Sequence, residues 1–469
     1  MKKNFILILS FVLLAFAACN SDDNEQPVVN SVAFAATSVN LSNASTPIEI
    51  KFATPTAAAG SVTVSFVEKD VVSGADFSTT PVASAKTVVV PFEKNVSSVS
   101  FTFNKLKDAI EGEVKNVVFT IASTTINSTI AENKTIQVNF NETASLGTAL
   151  APELGGSAQS NQVYVDLSSG KMTSVVRASW DLGFYAGSEF RVVLNSSLKM
   201  SAKVLATTNI DEVQVEDPTM LFSQGTGNPA LVDDPTGDLT KTTIAEVSAT
   251  DSANKVYLIN MGNNSAAVAL GAEGAVAGTS RGWKKIRILK SGNDYKIQYA
   301  NIDATTHDEV VISKNSAFNF TFFSLLDKKT VSVEPQKGLW DLNFTSFTNV
   351  IPGQNGLAPY LYADYVVNNS KGGAQAYQVL TSAFTFEAFT LANVDNTKFN
   401  TDPRNIGSNW RGTSVIGPNG DPVSQFVLRT DRFYVVKDPA GNIYKLKFTG
   451  GLKENGERGF PKFQYALLK

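Results

Sequence analysis

The chain has 469 residues, a formal net charge of −3, 43% hydrophobic and 18% charged residues. Its weakly acidic balance supplies no general field for nucleic acid. With one cysteine and one histidine, no internal disulfide and no Cys/His zinc site can form, and a Ser-His-Asp triad is disfavoured.

Lys2 and Lys3 open the chain, an apolar run from Phe5 to Phe16 follows, and Ala17-Ala18 precede Cys19. This is the pattern of an export signal over residues 1–18. The run is shorter than the roughly 20 residues of a spanning helix. The segment resembles the lipobox of bacterial lipoproteins, with Phe16 where that family usually has Leu. The resemblance implies lipid on Cys19, with about 0.8 kcal/mol of anchoring per buried methylene. Asn20-Ser21-Asp22-Asp23-Asn24-Glu25 resembles the acidic export signal of surface lipoproteins in Bacteroidota. A solvated spacer is the plain alternative. The expectation is an acylated polar linker, 19–30, on a protein anchored at the outer membrane and facing outwards.

From 31 to 142 the chain alternates with period two. Ile48, Ile50 and Phe52 share a face, as do Val62, Val64 and Phe66; Val99, Phe101 and Phe103; Val117, Phe119 and Ile121; and Ile136, Val138 and Phe140. Such alternation marks half-buried strands. Turn residues separate the runs, as at Ala59-Gly60 and Ser73-Gly74-Ala75-Asp76. A β-sandwich follows. Gly60-Ser61-Val62-Thr63-Val64, Gly74-Ala75-Asp76-Phe77, Val88-Val89-Val90-Pro91-Phe92 and Asp108-Ala109-Ile110-Glu111-Gly112-Glu113 resemble a Calx-β domain. Some members of that family bind calcium, which takes six to eight oxygens. Asp76, Asp108, Glu111 and Glu113 form no dense acidic run, so a metal-free spacer is expected and calcium is not.

Residues 143–160 read as a linker, with Gly147, Pro152, Gly155 and Gly156. Beyond it lies a duplication. Ser179-Trp180-Asp181-Leu182-Gly183-Phe184 matches Leu339-Trp340-Asp341-Leu342-Asn343-Phe344. A strand pair precedes each copy: Val163 to Leu167 with Thr173 to Val176, and Phe320 to Phe323 with Thr330 to Val333. Closing hairpins are expected at Lys285 to Tyr299 and at Asp431 to Phe448, the second turning at Asp438-Pro439-Ala440-Gly441-Asn442. The expected fold class is all-β: an N-terminal sandwich, then two tandem β-rich units, 161–310 and 311–469.

The Trp-Asp element, the Arg-Phe-x-Val strand and the Gly-Asn turn of the second unit resemble the HmuY family of haem-binding surface lipoproteins. The resemblance implies a haemophore that carries haem between long loops beside an outer-membrane receptor. Some members of that family hold iron with two histidines and others with methionine. Here His307 stands alone, so two histidines from one chain are impossible. Methionine and tyrosine can also ligate haem iron. The candidates are Met220, in the long loop Glu216 to Phe222, then Met261, Met200 and His307; Met172 falls in a hairpin turn. Residues 311–469 hold no His, Met or Cys. For each candidate there is a plainer reading: core filling for the methionines, solvent exposure for His307. Trp180 and Trp340 read as structural because they recur.

No phosphate loop followed by Lys-Ser/Thr occurs. A binding protein is expected and an enzyme is not. Its alternatives are a structural or adhesive surface protein that lost the ligands, or an accessory capture protein for another nutrient.

Overall fold

The structure, a computed structural model, describes residues 29–468 except 42, 111–112, 132, 141, 144, 146, 224 and 267–276. The export signal and Cys19 lie outside the described residues. The fold is all-β, and the described residues divide into two compact units, essentially those up to 140 and those from 142 onwards.

The N-terminal unit is a β-sandwich of two five-stranded sheets. One centres on Ser45–Phe52 between Asn30–Phe34 and Ser98–Lys105. The other centres on Asn116–Thr124 between Thr135–Phe140 and Gly60–Lys69. The alternating residues named above point inwards. Ile48, Val62, Phe103 and Phe119 are fully or almost fully buried, and Val99 is partly buried against them. Phe77 stacks on Phe103 with centroids 4.9 Å apart. The carboxylates considered for calcium are otherwise engaged. Asp76 accepts the Val72 N–H and pairs with Lys107, Asp108 pairs with Lys105, and Glu113 with Lys115. Glu111 lies outside the described residues.

In the second unit the two copies are interlaced. The hairpin Asn161–Val165/Met172–Val176 does not join the Trp180 strand that follows it. It pairs with Leu342–Gly353, after Trp340, which pairs in turn with Gly356–Asn368. Reciprocally, the hairpin Phe320–Ser324/Lys329–Val331 pairs with Leu182–Tyr185, after Trp180. Each half thus lends its first hairpin to the other. The expected division into separate units at 310/311 is therefore corrected: residues on both sides share sheets within one compact unit.

Two larger sheets complete it. The first runs Ser201–Val204, Val256–Asn260, Trp283–Ser291, Asp294–Asn301, Asp308–Ile312. The second runs Gln375–Leu380, Arg432–Lys437, Ile443–Leu452, Arg458–Leu467, Ala149–Leu150. The order makes Ala149–Leu150 the counterpart of Asp308–Ile312. The stretch 143–160, expected as a linker, is thus partly an edge of the fold. Leu154 is fully buried. At Gly147, φ is +103° and a Cβ would lie 2.2 Å from the Tyr465 carbonyl oxygen, so only glycine fits this close approach. The same order shifts the closing hairpins by one strand. Both predicted hairpins form, and Tyr444, Leu446 and Phe448 face the core as expected. Yet Ile443–Leu452 answers to Trp283–Ser291, not to Asp294–Asn301.

Candidate functional site

The Trp-Asp motif locks the exchanged hairpins. The Asp181 N–H donates to the Phe323 carbonyl, and its Oδ2 accepts the Leu325 N–H at 2.7 Å. The Asp341 N–H donates to the Val165 carbonyl, and its Oδ2 accepts the Leu167 N–H at 2.7 Å. An asparagine then bolts each motif in place. Asn195 Nδ2 donates to the carbonyls of Arg177 and Trp180, and Asn369 Nδ2 to those of Lys337 and Trp340. Burial pushes the Asp181 carboxyl up, and Arg281 at 2.8 Å offsets this only in part.

This stitching sets the two tryptophans beside a cleft at the junction of the halves. Trp180 meets Phe322 edge to face at 4.7 Å, and Trp340 meets Tyr164 at 4.9 Å. These four rings line a cleft of about 210 Å³. Its rim comes from both long loops: Val232 to Leu239 from the loop before Val256–Asn260, and Pro403 from the loop before Arg432–Lys437. Both loops carry Asp-Pro there, at 234–235 and 402–403. A more polar chamber of about 580 Å³ shares Gly237, Leu239 and Lys371 with it.

Four polar atoms of the cleft residues have no hydrogen-bond partner: Trp180 Nε1, Trp340 Nε1, Asn343 Oδ1 and Asn368 Oδ1. Trp180, Trp340 and Asn368 are only 8%, 7% and 1% exposed. Each of these atoms is itself sealed from solvent, and unpartnered buried atoms also occur elsewhere, as at the hydroxyls of Tyr434 and Tyr444. Two carboxyls also line the cleft. Glu334 accepts the N–H groups of Asn319 and Phe320, and burial pushes it up to about 7. Asp233, half-buried as a residue, accepts from Leu194 and Thr243 and is pushed up to about 6 by the same loss of water.

The residues expected to hold haem iron do not converge. Met200, Met220 and Met261 are 2%, 1% and 0% exposed. Met200 and Met261 belong to the core around Ile259 and Ile286. Met200 alone of the candidates lines the cleft. Met172 is exposed at the start of its strand, away from the cleft. His307 sits 2.9 Å from Asp211 and 3.7 Å from Glu309, outside the cleft. Tyr164 borders the cleft, but burial and the nearby Glu334 hold its hydroxyl well above the usual range, which opposes a tyrosinate ligand. The residues present do not fit an axially ligated haem. Among the described residues no group of three or more His, Cys, Asp or Glu could hold a metal ion, and no helix is long and apolar enough to cross a membrane.

The sequence alone marked Trp180 and Trp340 as structural, and their second role beside the cleft was missed. Asp-Pro recurs at both rims but also at 217–218, 421–422 and 438–439, so it was no distinguishing signal. Tyr164, Asn343, Asn368, Glu334 and Asp233 carry no local mark, since long-range pairing assembles them.

No curated protein sequence matches the chain. Among solved structures, the apo form of the Calx CBD1 domain is 11% identical, with 24% of this chain and 96% of that one covered and a TM-score of 0.20. A two-domain protein of unknown function from Bacteroides fragilis is 9% identical, with 72% and 95% covered and the same score. Scores this low establish no shared fold. The model of the family described as HmuY protein matches residues 158–465, well over half of the chain. With its Trp-Asp stitches and interlaced halves inside that span, the chain belongs to the HmuY family of surface-associated binding proteins, a family associated with haem.

Proposed function

We propose that this chain is a lipid-anchored surface binding protein that captures a small, partly apolar ligand in the cleft between its interlaced halves. The observation that carries this reading is the cleft itself, lined by aromatic residues from both interlaced halves, with Trp180, Phe322, Trp340 and Tyr164 in its wall. The family association makes haem the first ligand to test, and this chain's own residues argue against holding it through an axial Met or His. A capture role beside an outer-membrane receptor follows from the same family association.

Titration of the purified mature chain with ferric haem is expected to leave the spectrum of free haem in place. A sharp Soret shift that Met200→Ala abolishes would replace this reading with haem ligation through an opened cleft. Anchoring is tested separately. Cys19→Ser should move the protein from the detergent phase to the aqueous phase in a Triton X-114 partition of whole cells. Unchanged partition would exclude lipid on Cys19.

A further inference from the structure

We propose that the occupant of this cleft is a zwitterion with an apolar side chain, a free α-amino acid, whose charged end lies in the adjoining polar chamber. The proposal rests on the cleft reading above and names its ligand class. The aromatic cleft and the polar chamber meet at Gly237, Leu239 and Lys371. Four charged residues line the chamber: Glu189, Asp238, Lys371 and Asp402. Two of them are already engaged. Asp238 pairs with Lys241 at 3.0 Å, and Asp402 with Arg404 at 2.7 Å. The Glu189 carboxylate and the Lys371 ammonium have no ion-pair or hydrogen-bond partner among the described residues. Both are exposed residues, within reach of a solute, unlike the sealed indole and amide atoms of the cleft.

These two free charges act on one another without pairing. Loss of water pulls Lys371 below the usual lysine range, and Asp238 and Glu189 oppose this. Yet neither carboxylate comes within 4.0 Å of the ammonium. Bridging that gap takes a ligand that carries both signs. Its carboxylate would meet Lys371 at the junction, and its ammonium would meet Glu189 in the chamber, each through a charge-assisted hydrogen bond. Lys371 also borders the aromatic cleft. A ligand held there turns its remaining substituent towards Trp180, Trp340 and Phe347, rings that favour an apolar or aromatic group. An acidic side chain is excluded by Asp233 and Glu334 in the cleft wall, whose carboxyls burial already pushes up. A free α-amino acid joins the three required groups on one carbon. A simple amine would leave Lys371 unpaired, and a simple carboxylic acid would leave Glu189 unpaired.

The test is calorimetric titration of the full mature chain with L-phenylalanine. Phenethylamine, which lacks its carboxylate, and hydrocinnamate, which lacks its ammonium, are the comparators. Saturable binding of L-phenylalanine, tighter than of either comparator, is expected. Lys371→Met and Glu189→Gln should each weaken it about tenfold or more, the worth of one hydrogen bond to a charged group. Lys371→Met should also turn preference to phenethylamine, and Glu189→Gln to hydrocinnamate, which a merely structural role would not do. Ser370→Trp fills the cleft mouth, where Ser370 Oγ lies 3.9 Å from the position of a Cβ on Gly237. It should abolish binding while circular dichroism stays unchanged. Equal or tighter binding of a comparator by the parent chain, still blocked by Ser370→Trp, would overturn the amino acid and leave the cleft reading standing. Binding of L-phenylalanine that survives Ser370→Trp would overturn both. If none of the three binds at millimolar concentration, the amino acid is overturned, and the cleft reading stands only if Ser370→Trp removes the fluorescence of bound anilinonaphthalenesulfonate.

Discussion

Asp181→Ala is expected to destabilise the second unit by about 3–5 kcal/mol, the usual cost of stranding one partner of a buried ion pair. Asp181 and Arg281 are 0% and 1% exposed at their side chains and 2.8 Å apart. After the substitution the Arg281 guanidinium would keep only the carbonyls of Met261 and Ala178. The Leu325 N–H would also lose its acceptor. That N–H belongs to the hairpin lent by the other half, so the loss falls on the exchange itself. Asp341→Ala removes the matching acceptor of the Leu167 N–H and should also destabilise the unit, by at least about 1–3 kcal/mol. Chemical denaturation followed by tryptophan fluorescence measures both. Equal stability of Asp181→Ala and the parent would show that the motif is not the lock described here.

Local pattern and long-range pairing differ sharply in how far they can be read from sequence. Strand identity was legible wherever one face meets a core: Ile136, Val138 and Phe140 alternate in sequence and are buried in fact. So was the duplication, because Trp180-Asp181 and Trp340-Asp341 do the same job in each half. The hairpin exchange was not legible. Val163 to Val165 presents the same apolar run to either Trp-Asp strand, and nothing local distinguishes a neighbour 20 residues away from one 180 away. The one-strand offset of the closing hairpins has the same cause. Every strand in these sheets alternates alike, so alternation cannot rank candidates for equivalence. The methionines were ambiguous for a different reason. Met220 lies among turn residues, which favours exposure, yet its loop folds back so that Ser201 Oγ donates to the Met220 carbonyl and the side chain is sealed. Flexible, polarizable thioethers fill irregular gaps of that kind.

Asp364→Asn is the second large expected effect, and it isolates charge from shape. Asp364 sits at φ +48° on Gly356–Asn368, a left-handed conformation that Asn tolerates as well as Asp. Asparagine therefore adds no backbone strain. Its carboxylate is 0% exposed and faces two cations, Arg458 at 2.5 Å and Arg411 at 3.5 Å. Gln159 Nε2 donates to the other oxygen at 2.6 Å, and Asp364 N–H donates back to Gln159 Oε1. The cluster joins the 143–160 stretch, the Gly356–Asn368 strand and the last strand, Arg458–Leu467. With the charge gone, two almost wholly buried guanidinium groups repel one another, and burial already pulls Arg411 below the usual arginine range. A loss of about 3–5 kcal/mol is expected, with amide exchange rising first at Gln159 and around Ala149–Leu150. Replacing Arg411 by Met in the Asp364→Asn background should recover part of it, since one unpaired cation is then removed from the core. No recovery in that double variant would mean that the carboxylate acts through its hydrogen bonds and not through its charge.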